Sequence, residues 1–350
     1  MKSLPERLRS DPDLLDCLRA RARVLSGLRR FFEQRGFVEV HTPCLVFAPD
    51  PALHLDSFRT ELRLPAGRGP SCWLATSPEH CMKRLLAAGM ERIYSIGPFF
   101  RNAELGPVHN PEFIGLEWYQ ARATVEQTMD LTEELVRGAA RELGLGRLER
   151  AGHGVDLERP FERLTVREAL QRWARVDVPA DWGARGLRRV LGEAGIACAA
   201  GDSFDDLVNR ALVERVEPAM AKAGAVFLTD YPAPMAALAR LRPADPSVAE
   251  RFELFAGGLE LCNGYGELTD AAQQRERFEA ELEARRRAGR EVYPLDEAFL
   301  QALEAMPPAG GNALGVDRLL MLLLGKERIE QVTAFPISCE IGSPKRGEIP

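Results

Sequence analysis

Lysine is scarce in this chain: of 46 basic residues only Lys2, Lys83, Lys222, Lys326 and Lys345 are lysine, and the rest are arginine. An isolated arginine therefore carries little information, and only one held inside a motif counts. Cysteine is sparse as well. Cys17, Cys44, Cys72, Cys81, Cys198, Cys262 and Cys339 are odd in number and never spaced CxxC. That excludes a disulfide framework or a zinc ribbon and implies reduced, cytosolic thiols. The five histidines form neither HxxxH nor HExxH, so no transition-metal motif is present. No apolar run approaches the ~20 residues of a membrane span. The opening MKSLPERLRSDPD lacks the apolar stretch of a secretory signal. A formal charge of −6 gives no global basic field for nucleic acid, and only a local patch would serve. The two commonest nucleotide loops, GxxxxGK followed by Ser or Thr and GxGxxG after a strand, are absent.

What remains is an ordinary globular composition, 350 residues with 45% hydrophobic and 28% charged. A chain of this length buries roughly three quarters of its unfolded surface without staples. Asp11 and Pro12 open a helix whose apolar positions run through Leu18, Val24, Leu28 and Phe32 to Gly36. Strands are expected at Phe37–Val40, Cys72–Ala75, Arg92–Ile96, Ile114–Tyr119, Ala225–Leu228 and Leu254–Cys262, with a further one ending at Leu314. Ser77-Pro78-Glu79 opens one helix, the Thr124–Gln127 capping box another, and Val316–Leu324 forms a last apolar helix. Asn263-Gly264 and Gly310-Gly311 read as turns. Strand–loop–strand units outnumber βαβ units, which predicts an α+β fold with an antiparallel sheet flanked by helices. Residues 145–225 carry helical patterns without chemistry and read as an insertion within one catalytic domain spanning 1–350.

Three separated segments carry chemistry. Gly36–Pro43 is a helix–strand ending in Thr-Pro. Phe100-Arg101-Asn102-Ala103-Glu104 and His109-Asn110-Pro111-Glu112-Phe113 form a hairpin with a long polar loop, leading into Leu116-Glu117-Trp118-Tyr119. Gly311 to Leu319 is a small-residue strand turning into a helix at Arg318. A guanidinium on such a loop suits a phosphate, and an aromatic beside it suits a base. Together these resemble the three signature motifs of class II aminoacyl-tRNA synthetases. TSPEHCMKRLL, HNPEFIGLEWY, LELCNGYGELTD and ALGVDRLLML are similar to the lysine branch. The first motif begins about thirty residues in, which leaves no room for an N-terminal anticodon-binding OB domain. Ser77-Pro78-Glu79 and Ala313-Leu314-Gly315 resemble the elongation factor P–lysine ligases rather than tRNA-charging enzymes.

The resemblance implies ATP and Mg²⁺, and the activation of lysine or (R)-β-lysine as an adenylate. It further implies transfer to a lysine side chain of elongation factor P by a cytoplasmic homodimer, without tRNA anticodon or membrane contact. Arg101 would hold the α-phosphate and Arg318 would cover the adenine. Asn102, Ala103, Asn110, Phe113, Glu260, Leu261 and Gly315 complete the ATP set. Ser77, Pro78, Glu79, Glu117, Tyr119, Glu267 and Ala313 form the amino-acid set. Glu260 and Glu267 offer oxygen ligands for Mg²⁺, and Glu267 is equally a partner for the substrate ε-ammonium. A competing reading pairs the acids with Arg84 and Arg101. The FRxE signature is broken at Ala103, with a glutamate one place later at Glu104. The alternatives are an adenylating paralogue serving another acceptor and an inactive regulatory paralogue.

Overall fold

A computed structural model describes residues 4–179 and 182–341. The chain forms two compact units, one of Met1–Arg122, Thr269–Pro308 and Ala313–Pro350, the other of Ala123–Leu268 with Ala309–Asn312. Among the described residues no helix is long and apolar enough to cross a membrane.

The first unit is organised by an aromatic nucleus. The helix begins at Leu14, after a separate short helix Leu4–Ser10, and runs to Glu33. It buries Leu14, Cys17, Val24, Leu28, Phe31 and Phe32 along one stripe. Phe32 stacks on Tyr94 at 4.7 Å and meets Phe37 and Trp118 at 5.1 and 5.4 Å. Tyr94 and Trp118 come from two long antiparallel strands, Arg92–Phe100 and Glu112–Ala121, paired from Arg92↔Gln120 to Phe100↔Glu112. The short strand Val38–Glu39 joins parallel to Ile93-Tyr94, a parallel pair that the antiparallel expectation lacked. Gly115 lies under Phe99, where an added Cβ would sit 2.4 Å from the ring. A second small sheet orders Leu45–Val46, Gly67–Leu74 and Arg59–Leu64. The helix Val316–Leu323 is buried along most of its length, and Asp317 fixes its start by accepting from Ile114 N at 2.8 Å and from Arg21.

The second unit has antiparallel strands Ala225–Pro232, Asp245–Ala256 and Leu259–Gly266, with Glu162–Thr165 parallel to the first of these. The Thr124 capping box forms and starts a helix over Val125–Glu142. Between Arg147 and Thr165 the chain makes three short strands, and helical structure fills most of 166–223. Val166, Leu170, Leu187, Leu191, Leu207, Val216 and Leu228 are among the residues of one core beneath it.

The expected Asn-Gly turn is absent: Asn263 and Gly264 lie inside a strand. Gly264 is needed there because the Phe252 ring covers it, 2.3 Å from where a Cβ would be. Gly310 and Gly311 likewise lie in the strand Ala309–Gly315. In both places glycine serves close approach rather than a turn: a Cβ on Gly310 would meet Thr128 Oγ1 of the helix Val125–Glu142.

Candidate active site

In the first unit, Ser77 to Glu79 carries the chain from a strand into the helix Glu79–Ala87, with Pro78 at its N-cap. Ser77 Oγ accepts from Glu79 N at 3.0 Å and donates to Glu117 Oε2 at 2.9 Å. Tyr119 OH donates to the other oxygen of Glu117 at 2.6 Å. Glu117 and Tyr119 are two apart on one strand and so share a face. Glu117 is 1% exposed. Burial, reinforced by the charge of Glu79, pushes its carboxyl up to about 8. Glu79 Oε1 accepts from Lys83 Nζ at 2.5 Å, one helical turn along. Glu79 is therefore engaged by Lys83, which the comparison with Arg84 and Arg101 overlooked. The i, i+4 spacing was the signal that would have found it.

Arg101 follows the end of the strand Arg92–Phe100. Its backbone N donates to Pro111 O at 2.8 Å, closing the hairpin. Its guanidinium carbon lies 5.3 Å from the centre of the Phe113 ring and a guanidinium nitrogen 3.9 Å from Glu104 Oε1. Asn102 N donates to Asp56 O at 2.7 Å, and Asn102 Oδ1 accepts from Ala103 N at 2.9 Å. Ala103 has φ of 63°, in the left-handed region. That turn brings Glu104, one place beyond the usual FRxE position, back beside Arg101. Phe113 packs 5.5 Å from its cross-strand partner Phe99. Asn110 is buried; its amide donates to Glu112 O and accepts from Ile337 N at 3.0 Å. Its side chain thus braces the loop.

Arg318, in the first turn of the helix capped by Gly315, reaches the same loop. Its guanidinium lies 2.5 Å from His109 Nε2 and donates to Val108 O at 3.4 Å. Burial and then Arg318 hold the His109 imidazole below its usual range, which favours the neutral ring as acceptor. Ala313 and Leu314 are the strand residues leading to this cap.

In the second unit, Glu260, Leu261 and Glu267 lie on or just past the strand Leu259–Gly266. Seven residues of ideal strand would send Glu260 and Glu267 to opposite faces. A bulge reverses this: Glu260 faces Phe255 while Cys262 faces Leu254, so Leu261 is an extra residue. Glu253, Glu260, Asn263, Tyr265 and Glu267 consequently share one face, and Leu261 and Cys262 are buried. Glu253, missed in the sequence, accepts from Tyr231 OH at 2.6 Å and from Arg251 at 2.7 Å. Burial raises its carboxyl further from the ordinary range, and Glu260 adds to that rise. Glu217 is raised in the same way by burial, Glu253 and Glu260. Glu260 thus belongs to a carboxylate group with Glu253 and Glu217. Glu267 is 1% exposed, and its backbone N donates to Ala309 O at 2.9 Å. Six strand steps separate it from Glu260 once the bulge is counted, on the order of 20 Å of strand. Among the described residues no group of three or more His, Cys, Asp or Glu is arranged to hold a metal.

Residues 7–338 match the family of class II tRNA synthetases (D, K and N), and the chain belongs to it. Within that family the chain is 40% identical over 321 residues to an elongation factor P–(R)-β-lysine ligase of Proteus mirabilis, covering 91% of this chain and 94% of the relative. The ligase of that name from Salmonella arizonae is 38% identical over 94% of this chain and 96% of its own. A lysine–tRNA ligase of Pelotomaculum thermopropionicum is 35% identical over 93% of this chain and 64% of its own. The resemblance drawn from the three motifs, and from Ser77 and Ala313 within them, is borne out by these matches.

Proposed function

We propose that this chain is a ligase that activates (R)-β-lysine, or lysine, with ATP and transfers it to a lysine side chain of elongation factor P. The observation that carries the reading is the match to proteins named for that reaction, at 38–40% identity over 94–96% of their own length. Cytoplasmic placement and a homodimer belong to the same reading.

The substrate carboxylate attacks the α-phosphorus of ATP in line; the new P–O bond forms as the bond to pyrophosphate breaks. Arg101 is the residue for the α-phosphate, where it meets charge that grows in the transition state. The aromatic face of Phe113 and the guanidinium of Arg318 suit the adenine. Asn102, Ala103, Asn110 and Gly315 of the first unit offer backbone groups to the same ligand. Ser77, Glu79, Glu117, Tyr119 and Ala313 form the amino-acid set of the first unit, with Pro78 setting the turn.

The donor set suits Mg²⁺, which prefers carboxylate oxygen and keeps waters and phosphate oxygens around it. Glu260 with Glu253 is the pair that fits, since they share one face of the strand pair and the Glu260 charge adds to the rise of the Glu253 carboxyl, a repulsion that a divalent cation relieves. Glu267, far along the strand, is assigned to the substrate ammonium. When bound, Mg²⁺ supplies charge neutralisation on the phosphates. In the second step the acceptor amine attacks the acyl carbon and AMP leaves. A free lysine amine titrates near ~10.4, so the acceptor must lose its proton on entering.

The test is incubation with ATP, elongation factor P and either (R)-β-lysine or L-lysine, followed by intact mass. The expected result is an added lysyl-type residue on elongation factor P, dependent on ATP and larger in yield with (R)-β-lysine. An unmodified elongation factor P beside active ATP–pyrophosphate exchange would sink the acceptor assignment.

A further inference from the structure

We propose that Asp50 is a specificity-determining residue, the carboxylate that holds the substrate amine nearest the reacting carboxyl group. The inference rests on the lysine-activating reading and adds a residue that the sequence motifs do not contain.

The first ground is position. Asp50 lines a cavity of about 30 Å³ together with Ser77, Glu79, His80 and Asp296. That volume holds about one water, and an ammonium group has the same size. Burial raises the Asp50 carboxyl and Glu79 adds to the rise, while His80 from the same helix Glu79–Ala87, the bond from Ala52 N and Arg101 from the hairpin oppose it. Asp50 therefore shares a cavity with Ser77 and Glu79 of the amino-acid set, and the charge of Arg101 reaches it. Adenylation requires the substrate carboxylate beside Arg101, and an amine on the α- or β-carbon lies only two or three bonds from it.

The second ground is charge. The substrate carries two ammonium groups, and the sequence offers Glu79 and Glu117 in this unit to meet them. Lys83 already offsets Glu79 at 2.5 Å, and Glu117 is held up to about 8, mostly protonated near neutrality. The Ser77–Glu117–Tyr119 network thus has less negative charge than its residue types suggest. A further carboxylate restores it: of the two aspartates that line the cavity, Asp296 is paired with His80 at 3.4 Å, which leaves Asp50 for the substrate amine.

The third ground is that Asp50 is held in place. Its Oδ1 accepts from Ala52 N at 2.8 Å. Arg285, 0% exposed, donates to Ala52 O and Leu55 O at 2.9 Å each and to Asp56 Oδ1 at 2.8 Å. Asp56 O in turn receives Asn102 N. The loop is tied from both sides, so the carboxylate is presented on a fixed backbone.

Asp50→Asn tests this with little change of shape, because the amide oxygen still accepts from Ala52 N. Asp50→Ser, whose hydroxyl keeps that acceptor, is the second variant. ATP–pyrophosphate exchange is measured with L-lysine and (R)-β-lysine. Inhibition by 6-aminohexanoate, which keeps the terminal amine and the carboxylate but lacks the inner amine, is measured alongside, and thermal melting checks the fold. The expected result is a rise in KM for the preferred lysine of about 10-fold or more, the weight of a lost charge-assisted hydrogen bond. KM for ATP and Ki for 6-aminohexanoate should stay within about 2-fold, the scatter of a neutral change. Equal weakening of lysine and 6-aminohexanoate would show a merely structural role and overturn the proposal, as would an unchanged KM for both lysines. Absence of exchange with either lysine in the unaltered protein would instead bring down the functional reading, and this inference with it.

Discussion

At the scale of single residues, charge state matters more than residue type. Burial pushes the Glu117 carboxyl up to about 8 in the folded chain, from 4.5 when it is exposed. Between these values the folded state keeps a proton that the unfolded chain has lost. Its favourable contribution is complete below the unfolded value and is lost as pH rises through the folded one. Glu117→Gln removes the titration. The fall in Tm from about pH 5 to about pH 8 should therefore be smaller in the variant, and scanning calorimetry across that window checks it. An equal fall in both proteins would place the titration elsewhere. Arg101 makes the second case. Its side chain contacts Phe113 and Glu104 without a tight ion pair, so Arg101→Ala should leave Tm nearly unchanged while lowering exchange about 10²–10³-fold. Near-normal exchange from a folded variant would strike it from the phosphate set. Ala313 tests selectivity. One methyl in a pocket is worth about 1–3 kcal/mol, so Ala313→Gly should narrow the kcat/KM gap between (R)-β-lysine and L-lysine. An identical ratio in both proteins would mean that Ala313 is only a tolerated small residue.

At the scale of elements, the sequence is most legible where one local rule decides the outcome. The Thr124 capping box forms as read, because a cap depends on four consecutive residues. The strands at Arg92–Phe100 and Glu112–Ala121 exceed their expected lengths, because pairing with each other extends them beyond their apolar centres. Asn263-Gly264 misleads because local turn propensity loses to Phe252, whose ring requires a glycine beneath it. The bulge at Leu261 is invisible in one strand alone, since it is defined by the partner. Of the candidate site, the motif residues were legible, and Lys83 was legible from its i, i+4 spacing to Glu79. The contacts of His109 with Arg318 and of Glu253 with Tyr231 were not, because each joins distant parts of the chain. Gly115 offers a test at this level. A methyl there would meet the Phe99 ring at 2.4 Å, and overpacking of that kind costs about 1–3 kcal/mol. Since Phe99 supports Phe113, Gly115→Ala should lower Tm and also raise KM for ATP, with a smaller change in KM for the amino acid. A loss of Tm alone would separate the ring support from nucleotide binding.

At the scale of the whole molecule, the segment that resembles the first class II motif leaves apolar surface uncovered. The helix Leu14–Glu33 turns Phe32 inward against Tyr94 but leaves Leu15 45% exposed, and Val38 in the short strand Val38–Glu39 is 52% exposed. Single exposed apolar residues are ordinary. These two, however, sit on the helix and strand for which the resemblance implies a subunit contact. Among the described residues the short strand also has a sheet partner on one side only, the parallel strand Arg92–Phe100, and an edge strand with an exposed valine is a ready pairing surface. A homodimer built on this face is the expected state. A C2 contact uses each residue twice, once on either side of the axis, so a single charge placed there acts twice. Val38→Asp should shift the protein from dimer toward monomer at micromolar concentration in light scattering. Val213→Asp, at an equally exposed valine (58%) in the second unit, should leave the mass unchanged. A mass equal to one chain for the unaltered protein would remove the dimer, and an unmoved dimer in Val38→Asp would move the interface away from this strand.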